Sequence, residues 1–301
     1  MKVRQIAAAA ALAMASGLAQ AAILPTFTTP GGGTTYEGWN GFDWASNGTA
    51  WTDNWNGLLA EVGRISASSG GPASSFGFTT NYIAYAVSFV DMTGTPFAVP
   101  RLSVGGSGGA DAFEITVRAS FQEVATCGAG LGGMSACSFA VTGGSYTVYI
   151  DPAKNARTGS AALLSQYTDG EVLIAGTLVG GLGSFTSMSP TDGAGNTTFS
   201  AVNTYTNSTY ISPNLTLGTQ AGALLTRGLF STSWQRPGFL GASDGCTTLT
   251  ACLVTFQADG SQNFFADKYN VPEPASLALL GVSIAGLGAA GAVRRRKARA
   301  A

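Results

Sequence analysis

DAFEITVRASFQE, residues 111–123, alternates apolar and polar side chains along most of its length. The apolar members are Phe113, Ile115, Val117, Ala119 and Phe121. A period of two is typical of a β-strand with one face in the core and the other in water. The stretch therefore predicts a half-buried strand, with Glu114, Arg118 and Gln122 pointing to solvent.

Further apolar stretches on both sides of this strand are separated by clusters of Gly, Ser and Asn. They cover residues 82–90, 138–142, 145–150, 172–178, 197–206, 224–231 and 253–257. Gly143-Gly144 predicts a two-residue hairpin turn, because glycine adopts positive φ without a steric penalty. A helical turn is expected only at residues 161–167. Many short strands predict an all-β domain, built as a single β-sandwich or jelly roll.

The N-terminal 21 residues have the pattern of a secretory signal. Lys2 and Arg4 precede an apolar stretch, and Ala19-Gln20-Ala21 fits a small-x-small cleavage site. The pattern predicts a signal helix over residues 1–21 and an exported domain over residues 22–270.

The C-terminus has the pattern of a membrane anchor. Residues 276–293 are apolar and uncharged, and the basic tail 294–299 contains Arg294, Arg295, Arg296 and Lys297. Eighteen helical residues reach roughly 27 Å, close to the thickness of a bilayer's hydrocarbon core. Basic residues that flank a span stay in the cytoplasm, so the pattern predicts a transmembrane helix with the domain on the opposite side.

A short motif precedes this predicted span. Val271-Pro272-Glu273-Pro274, the apolar run and the basic cluster follow one another within residues 271–301. The arrangement resembles the PEP-CTERM sorting signal of Gram-negative bacteria. The resemblance implies a transient inner-membrane anchor, recognition of Pro272, Glu273 and Pro274 by an exosortase, and release to the cell surface or matrix. An ordinary tail anchor, in which the prolines end the helix, is the alternative.

The exported part is acidic and the whole chain lacks histidine. Residues 22–270 contain eight basic and 15 acidic residues, a net charge of −7, although the whole chain has a net charge of −1. Nucleic acid is not an expected partner, because its phosphates need Lys and Arg. Without histidine the commonest general base is missing. A protein that is not an enzyme and has no cofactor or metal site is predicted.

Carboxylate pairs leave one enzymatic alternative open. Asp43 with Asp53, or Glu114 with Glu123, could serve a polysaccharide hydrolase or lyase, but nothing in the sequence marks either pair.

The cysteines occur as two close pairs, Cys127 with Cys137 and Cys246 with Cys252. In an oxidising compartment an even number of cysteines indicates disulfides. Three connectivities are possible, and the short separations favour two local bridges.

Two regions of the exported part could contact a polymer. Trp39, Trp44, Trp51 and Trp55 lie close together near Asn residues, and indole rings stack on sugars. Residues 184–216 are rich in Ser, Thr and Asn, which suits polar strands or glycosylation. Packing of the tryptophans in the core is the alternative.

A second resemblance extends into the domain. Residues 42–48, 114–124, 149–152 and 169–173 are similar to the flocculation-associated PEP-CTERM proteins of floc-forming bacteria. The resemblance implies a matrix protein that acts with exopolysaccharide in flocculation or biofilm formation. Two alternatives remain: a secreted polysaccharide-active enzyme, and a structural matrix subunit that assembles only with itself.

Overall fold

The computed structural model describes residues 25–52, 74–129, 135–157, 163–189, 192–215, 219–227 and 254–264. They fall within one unit that spans residues 24–266. The strands are β1 (Thr26–Thr28), β2 (Thr35–Glu37), β3 (Trp39–Trp44), β4 (Gly48–Thr52), β5 (Ser74–Asp91), β6 (Pro96–Phe97), β7 (Glu114–Ala129), β8 (Ser135–Asp151), β9 (Glu171–Ser189), β10 (Asp192–Thr206), β11 (Ile211–Ser212), β12 (Thr219–Arg227) and β13 (Val254–Asn263). Single 3₁₀ turns cover Pro30–Gly32 and Leu164–Tyr167. The all-β prediction is confirmed.

The large sheet closes on itself. Its antiparallel neighbours follow the chain from β5 through β7, β8, β9, β10 and β12 to β13. β13 then pairs with both β3 and β4, and these two pair with β5. β3 and β4 share one position, because they follow each other along the same two neighbours. The described strands therefore form a circuit of eight positions.

The strand order differs from that of a jelly roll. Two residues separate β9 from β10 and five separate β7 from β8, and such short connections join antiparallel neighbours directly. The result is a meander, without Greek-key crossovers among the described strands of the circuit. A sandwich packs two separate sheets face to face. Here the opposite walls of one continuous sheet face each other instead.

The side chains of β7 alternate between the interior and the outer face, as the sequence predicts. Ile115, Val117 and Phe121 are buried, whereas Arg118 and Gln122 are exposed. Each large apolar side chain that leaves water stabilises the fold by about 1.5–3 kcal/mol. β7 thus contributes one stripe of the core.

Aromatic rings fill one end of the interior. Phe42 lies 5.3 Å from Trp39 and 5.4 Å from Phe89, measured between ring centroids. Phe27 of β1 lies 4.8 Å from Phe89, so the small sheet, ordered β11-β1-β2, is attached to the same core. Edge-to-face and tilted contacts of this kind add to the stabilisation from burial.

The interior holds a small cavity of about 20 Å³, lined in part by Trp44, Tyr82, Phe121 and Phe199. This volume is close to the space that one water molecule needs. The residues that line this cavity therefore pack closely and leave no room there for a small-molecule ligand.

The hairpin predicted at Gly143-Gly144 is wrong. β8 runs without a break through both residues, and its register against β7 shifts between Gln122 and Glu123. Gly144 has φ +150°, and a β-carbon there would lie 2.4 Å from the Ser120 carbonyl oxygen. The glycine pair permits a β-bulge, which needs the same backbone freedom as a tight turn.

Other predictions have mixed outcomes. The helical turn expected at residues 161–167 appears as the 3₁₀ turn Leu164–Tyr167. No helix in the described ranges is long and apolar enough to cross a membrane. The predicted signal peptide, the motif at residues 271–274, the span 276–293 and the basic tail 294–299 all lie outside those ranges.

The first predicted disulfide fits the sheet. Cys137 is disulfide-bonded, and the register of β7 against β8 places Cys127 directly opposite it. Cys246 and Cys252 lie outside the described residues. A bridge between adjacent strands would hold the β7–β8 pair together beyond the bulge.

The bulge predicts different effects for two adjacent glycine substitutions. Gly144→Ala should lower the free energy of unfolding by about 2–3 kcal/mol, because the new methyl group meets backbone and φ is unfavourable. Gly143→Ala is the matched control, since a β-carbon there would lie 3.7 Å from its nearest neighbour, Gln122 Oε1. Chemical denaturation of both variants measures the difference. Equal losses would show that the bulge does not depend on Gly144.

Candidate functional site

The tryptophans predicted to contact carbohydrate are mostly buried. Trp39 and Trp44 are 0% and 3% exposed in the interior. Trp51 packs on the outer face with Ile83 and Tyr167, and Trp55 lies outside the described residues. A ring that stacks on a sugar must expose one face, so the binding role is wrong for Trp39 and Trp44. The core alternative is correct for these two residues.

A carboxyl group on the outer face of β7 is enclosed by the segment that follows β8. Glu114 Oε1 accepts hydrogen bonds from the backbone N–H groups of Asn155 and Ala156, each at 3.0 Å. Two residues along β7, the Thr116 hydroxyl donates to the Tyr167 carbonyl oxygen at 3.0 Å. Glu114 is consequently buried. The prediction that it points to solvent is wrong, because alternation identifies the outer face but not what covers it.

Two more carboxyl groups lie beside Glu114. Asp151 is directly opposite Glu114 in the β7–β8 register. Asp169 immediately precedes Gly170, which lies beside Asp151. A β-carbon added to Gly170 would be 3.0 Å from the β-carbon of Asp151. The Asn155 side-chain amide donates to Asp169 Oδ2 at 2.8 Å. We call Glu114, Asp151, Asn155 and Asp169 the acidic cluster.

Positive side chains near the acidic cluster bind elsewhere. The Lys154 ammonium donates to the Gly109 carbonyl oxygen at 2.5 Å, and the Arg157 guanidinium donates to the Gly105 carbonyl oxygen at 2.9 Å. These bonds fasten the segment after β8 to the loop that precedes β7. They leave the carboxyl groups of the cluster without an ion pair among the described residues.

The environment of the cluster disfavours negative charge. Burial raises the pKa of Glu114 to about 7, although the two backbone N–H groups act in the opposite direction. Burial also raises the pKa of Asp151, and the facing carboxyl group of Asp169 raises it further. Perturbed carboxyl groups of this kind are frequent at functional sites.

A second buried carboxyl group lies inside the closed sheet. Glu123 accepts hydrogen bonds from the Thr80 hydroxyl at 2.5 Å and from the Thr197 hydroxyl at 3.4 Å. Thr197 belongs to β10, which is three positions from β7 in the circuit. This bond therefore crosses the interior. Burial raises the pKa of Glu123 to about 7, and the two hydroxyl groups oppose the shift.

The two buried glutamates cannot act as a glycosidase pair. They are nine residues apart on one strand, which corresponds to roughly 30 Å, and they lie on opposite faces of the sheet. Glycosidase carboxyl groups are about 5–9.5 Å apart. In the other imagined pair, Asp43 accepts a hydrogen bond from the Ser88 hydroxyl at 3.0 Å, and Asp53 lies outside the described residues.

Comparison with models of known protein families, with curated proteins and with solved structures found no match. Any function must therefore be argued from the chain itself.

The sequence contains a signal for the acidic cluster that alternation along a single strand does not reveal. In an antiparallel meander, the beginning of one strand lies beside the end of the next. Glu114 begins β7, Asp151 ends β8 and Asp169 comes just before β9. Acidic residues at three such positions predict a shared location at one end of the sheet.

The raised pKa of Glu123 predicts a pH dependence of stability. The folded protein holds this proton more tightly than the unfolded chain, whose Glu pKa is near 4.5. The stabilisation is complete below pH 4.5 and is lost as pH rises through 7. Glu123→Gln should abolish this part of the loss and be more stable than wild type at pH 8, by on the order of 2 kcal/mol.

Chemical denaturation between pH 5 and pH 8 measures this effect. Glu114, whose pKa is also raised, makes stability fall with rising pH in the same way. Glu123→Gln should therefore reduce the pH dependence of the unfolding free energy without removing it. Glu37→Gln, on the exposed side of β2, is the control and should follow wild type. An unchanged slope in Glu123→Gln would contradict the assignment.

Proposed function

We propose that the chain is an exported, non-enzymatic protein of the cell surface or extracellular matrix, which acts in exopolysaccharide-associated cell aggregation after cleavage by an exosortase. The observation that carries the proposal is the C-terminal order of Val271-Pro272-Glu273-Pro274, an apolar run and a basic cluster. Such an order fits a segment that is recognised and then removed.

The chemistry of the domain supports export. Cys137 is disulfide-bonded, and disulfides persist mainly in oxidising compartments such as the bacterial periplasm and the cell exterior. A domain with only eight basic residues in its exported part also avoids strong attraction to nucleic acid and anionic lipid.

The small volume of the cavity beside Trp44 and Tyr82 favours contact through the outer surface. A cavity of about 20 Å³ is far smaller than the several hundred Å³ of a small-molecule site. The outer face of β10 exposes hydroxyl and amide groups, including Asn196, Thr198, Ser200 and Thr204. We propose that this polar face contacts the polymer weakly and that many copies supply strength through multivalency.

One observation favours self-assembly as a second candidate function. Val124, Ala140 and Leu182 lie directly opposite one another on β7, β8 and β9. They share the outer face, where Leu182 is 70% exposed. A row of apolar side chains in water is typical of a surface that contacts another protein. Copies of the chain could join through it.

Processing can be tested by intact mass and C-terminal peptide mapping of protein from the envelope and the medium. For wild type we expect an end near Pro274 and loss of residues 276–301. Glu273→Ala should retain Ala301 and stay in the membrane fraction, because the recognised tripeptide is broken. Asp267→Ala, which removes an acid outside the motif, is the control. An intact Ala301 in wild-type protein would overturn the proposal.

Polymer binding and self-assembly predict different behaviour of Leu182→Asn. If the polymer contact is correct, wild type and variant should co-sediment equally with the organism's exopolysaccharide. Thr177→Asn, also exposed on β9, is the matched control. Sedimentation velocity without polymer measures self-association. Assemblies that form without polymer and dissolve only in Leu182→Asn would favour the structural subunit instead.

A further inference from the structure

Two buried oxygen atoms of the acidic cluster lack hydrogen-bond partners. They are Asp151 Oδ2 and Asn155 Oδ1. Asp151 is only 6% exposed, and its other oxygen accepts the Ala153 backbone N–H at 2.7 Å. A buried polar atom without a partner destabilises the folded state. Two of them in one cluster indicate a place that is built to receive a positive ligand.

The charges around these two oxygen atoms also favour a positive ligand. Asp151 and Asp169 lie close enough for their carboxyl groups to share one hydrogen bond, and Glu114 adds a third acid nearby. A bound cation would take the place of the shared proton. Both Glu114 oxygens already accept backbone N–H groups, so Glu114 is not needed as a ligand. Lys154 and Arg157 donate to carbonyl oxygens in another loop. The repulsion between the acids is therefore not balanced by a positive side chain among the described residues.

We propose that Asp151, Asp169 and the side-chain oxygen of Asn155 bind Ca²⁺. All three supply hard oxygen atoms, which Ca²⁺ prefers, and it accepts six to eight ligands in irregular geometry with water completing the shell. Two carboxylates neutralise its charge. No set of three or more His, Cys, Asp or Glu side chains suited to a metal occurs in the described ranges. The proposed site has only two carboxylates, and the third protein ligand is the amide oxygen of Asn155.

The position of the site gives the ion a structural effect. Asp151 ends β8, Asn155 lies in the segment that covers Glu114, and Asp169 precedes β9. An ion bound to all three would fasten this segment to both strands. Two carboxylates and one amide predict weak binding, in the range of about 10⁻⁴–10⁻³ M found for extracellular modules.

The test is a titration of the purified full-length protein with CaCl₂ after removal of metal, with no polymer present. We expect a saturable rise in Tm and a binding isotherm by calorimetry, with a smaller response to MgCl₂. Asp169→Asn should weaken Ca²⁺ affinity by at least about tenfold. This residue is exposed, so the variant should fold. Asp111→Asn, at an exposed aspartate outside the cluster, should bind like wild type.

Three results would overturn the site. They are the absence of saturable binding by wild type, equal affinity of Asp169→Asn and wild type, and equal weakening in Asp111→Asn, which would indicate diffuse attraction to an acidic surface. Tb³⁺ luminescence gives an independent readout, since Tyr167 lies close enough to Glu114 to interact with it electrostatically. None of these measurements depends on processing or polymer binding, so they fail or succeed independently of the proposed function.

Discussion

The pairing of β13 with β3, β4 and β12 is the constraint on which the rest of the domain depends. Without it, β12 and the β3–β4 pair would be sheet edges with unsatisfied N–H and C=O groups. Closure at eight positions also fixes the width of the interior, because a closed sheet of this size is just wide enough to be filled by side chains. The aromatic cluster and the small cavity follow from that width.

A filled interior leaves the ends and the outer wall for function, and the two buried glutamates of β7 illustrate the difference. Glu123 is buried because its side chain points into the core, where two hydroxyl groups bind it. Glu114 is buried because another part of the chain folds over an outward position. Burial of Glu123 depends on closure of the sheet. Burial of Glu114 depends instead on the covering segment, whose position closure does not determine.

The sequence could predict the parts of the fold that depend on one strand at a time. Alternation from Phe113 to Phe121 correctly assigned the interior face of β7. Alternation could not reveal that residues 152–157 cover Glu114, since that contact joins segments about forty residues apart. Gly143-Gly144 was misread because a bulge and a turn need the same backbone freedom. Trp39 and Trp44 were ambiguous because an indole ring serves a core and a sugar site equally well.

Closure also has a consequence for how the domain reaches its native state. Phe42 pairs with Gln262, so the first and last strands of the circuit meet only after nearly the whole chain is available. Long-range pairings of this kind slow folding. A chain that crosses a membrane from its N-terminus would hold two open strand edges until β13 arrives. During that interval the β13 of a neighbouring copy could occupy the gap, which makes strand exchange between copies the characteristic misfolding route of this architecture.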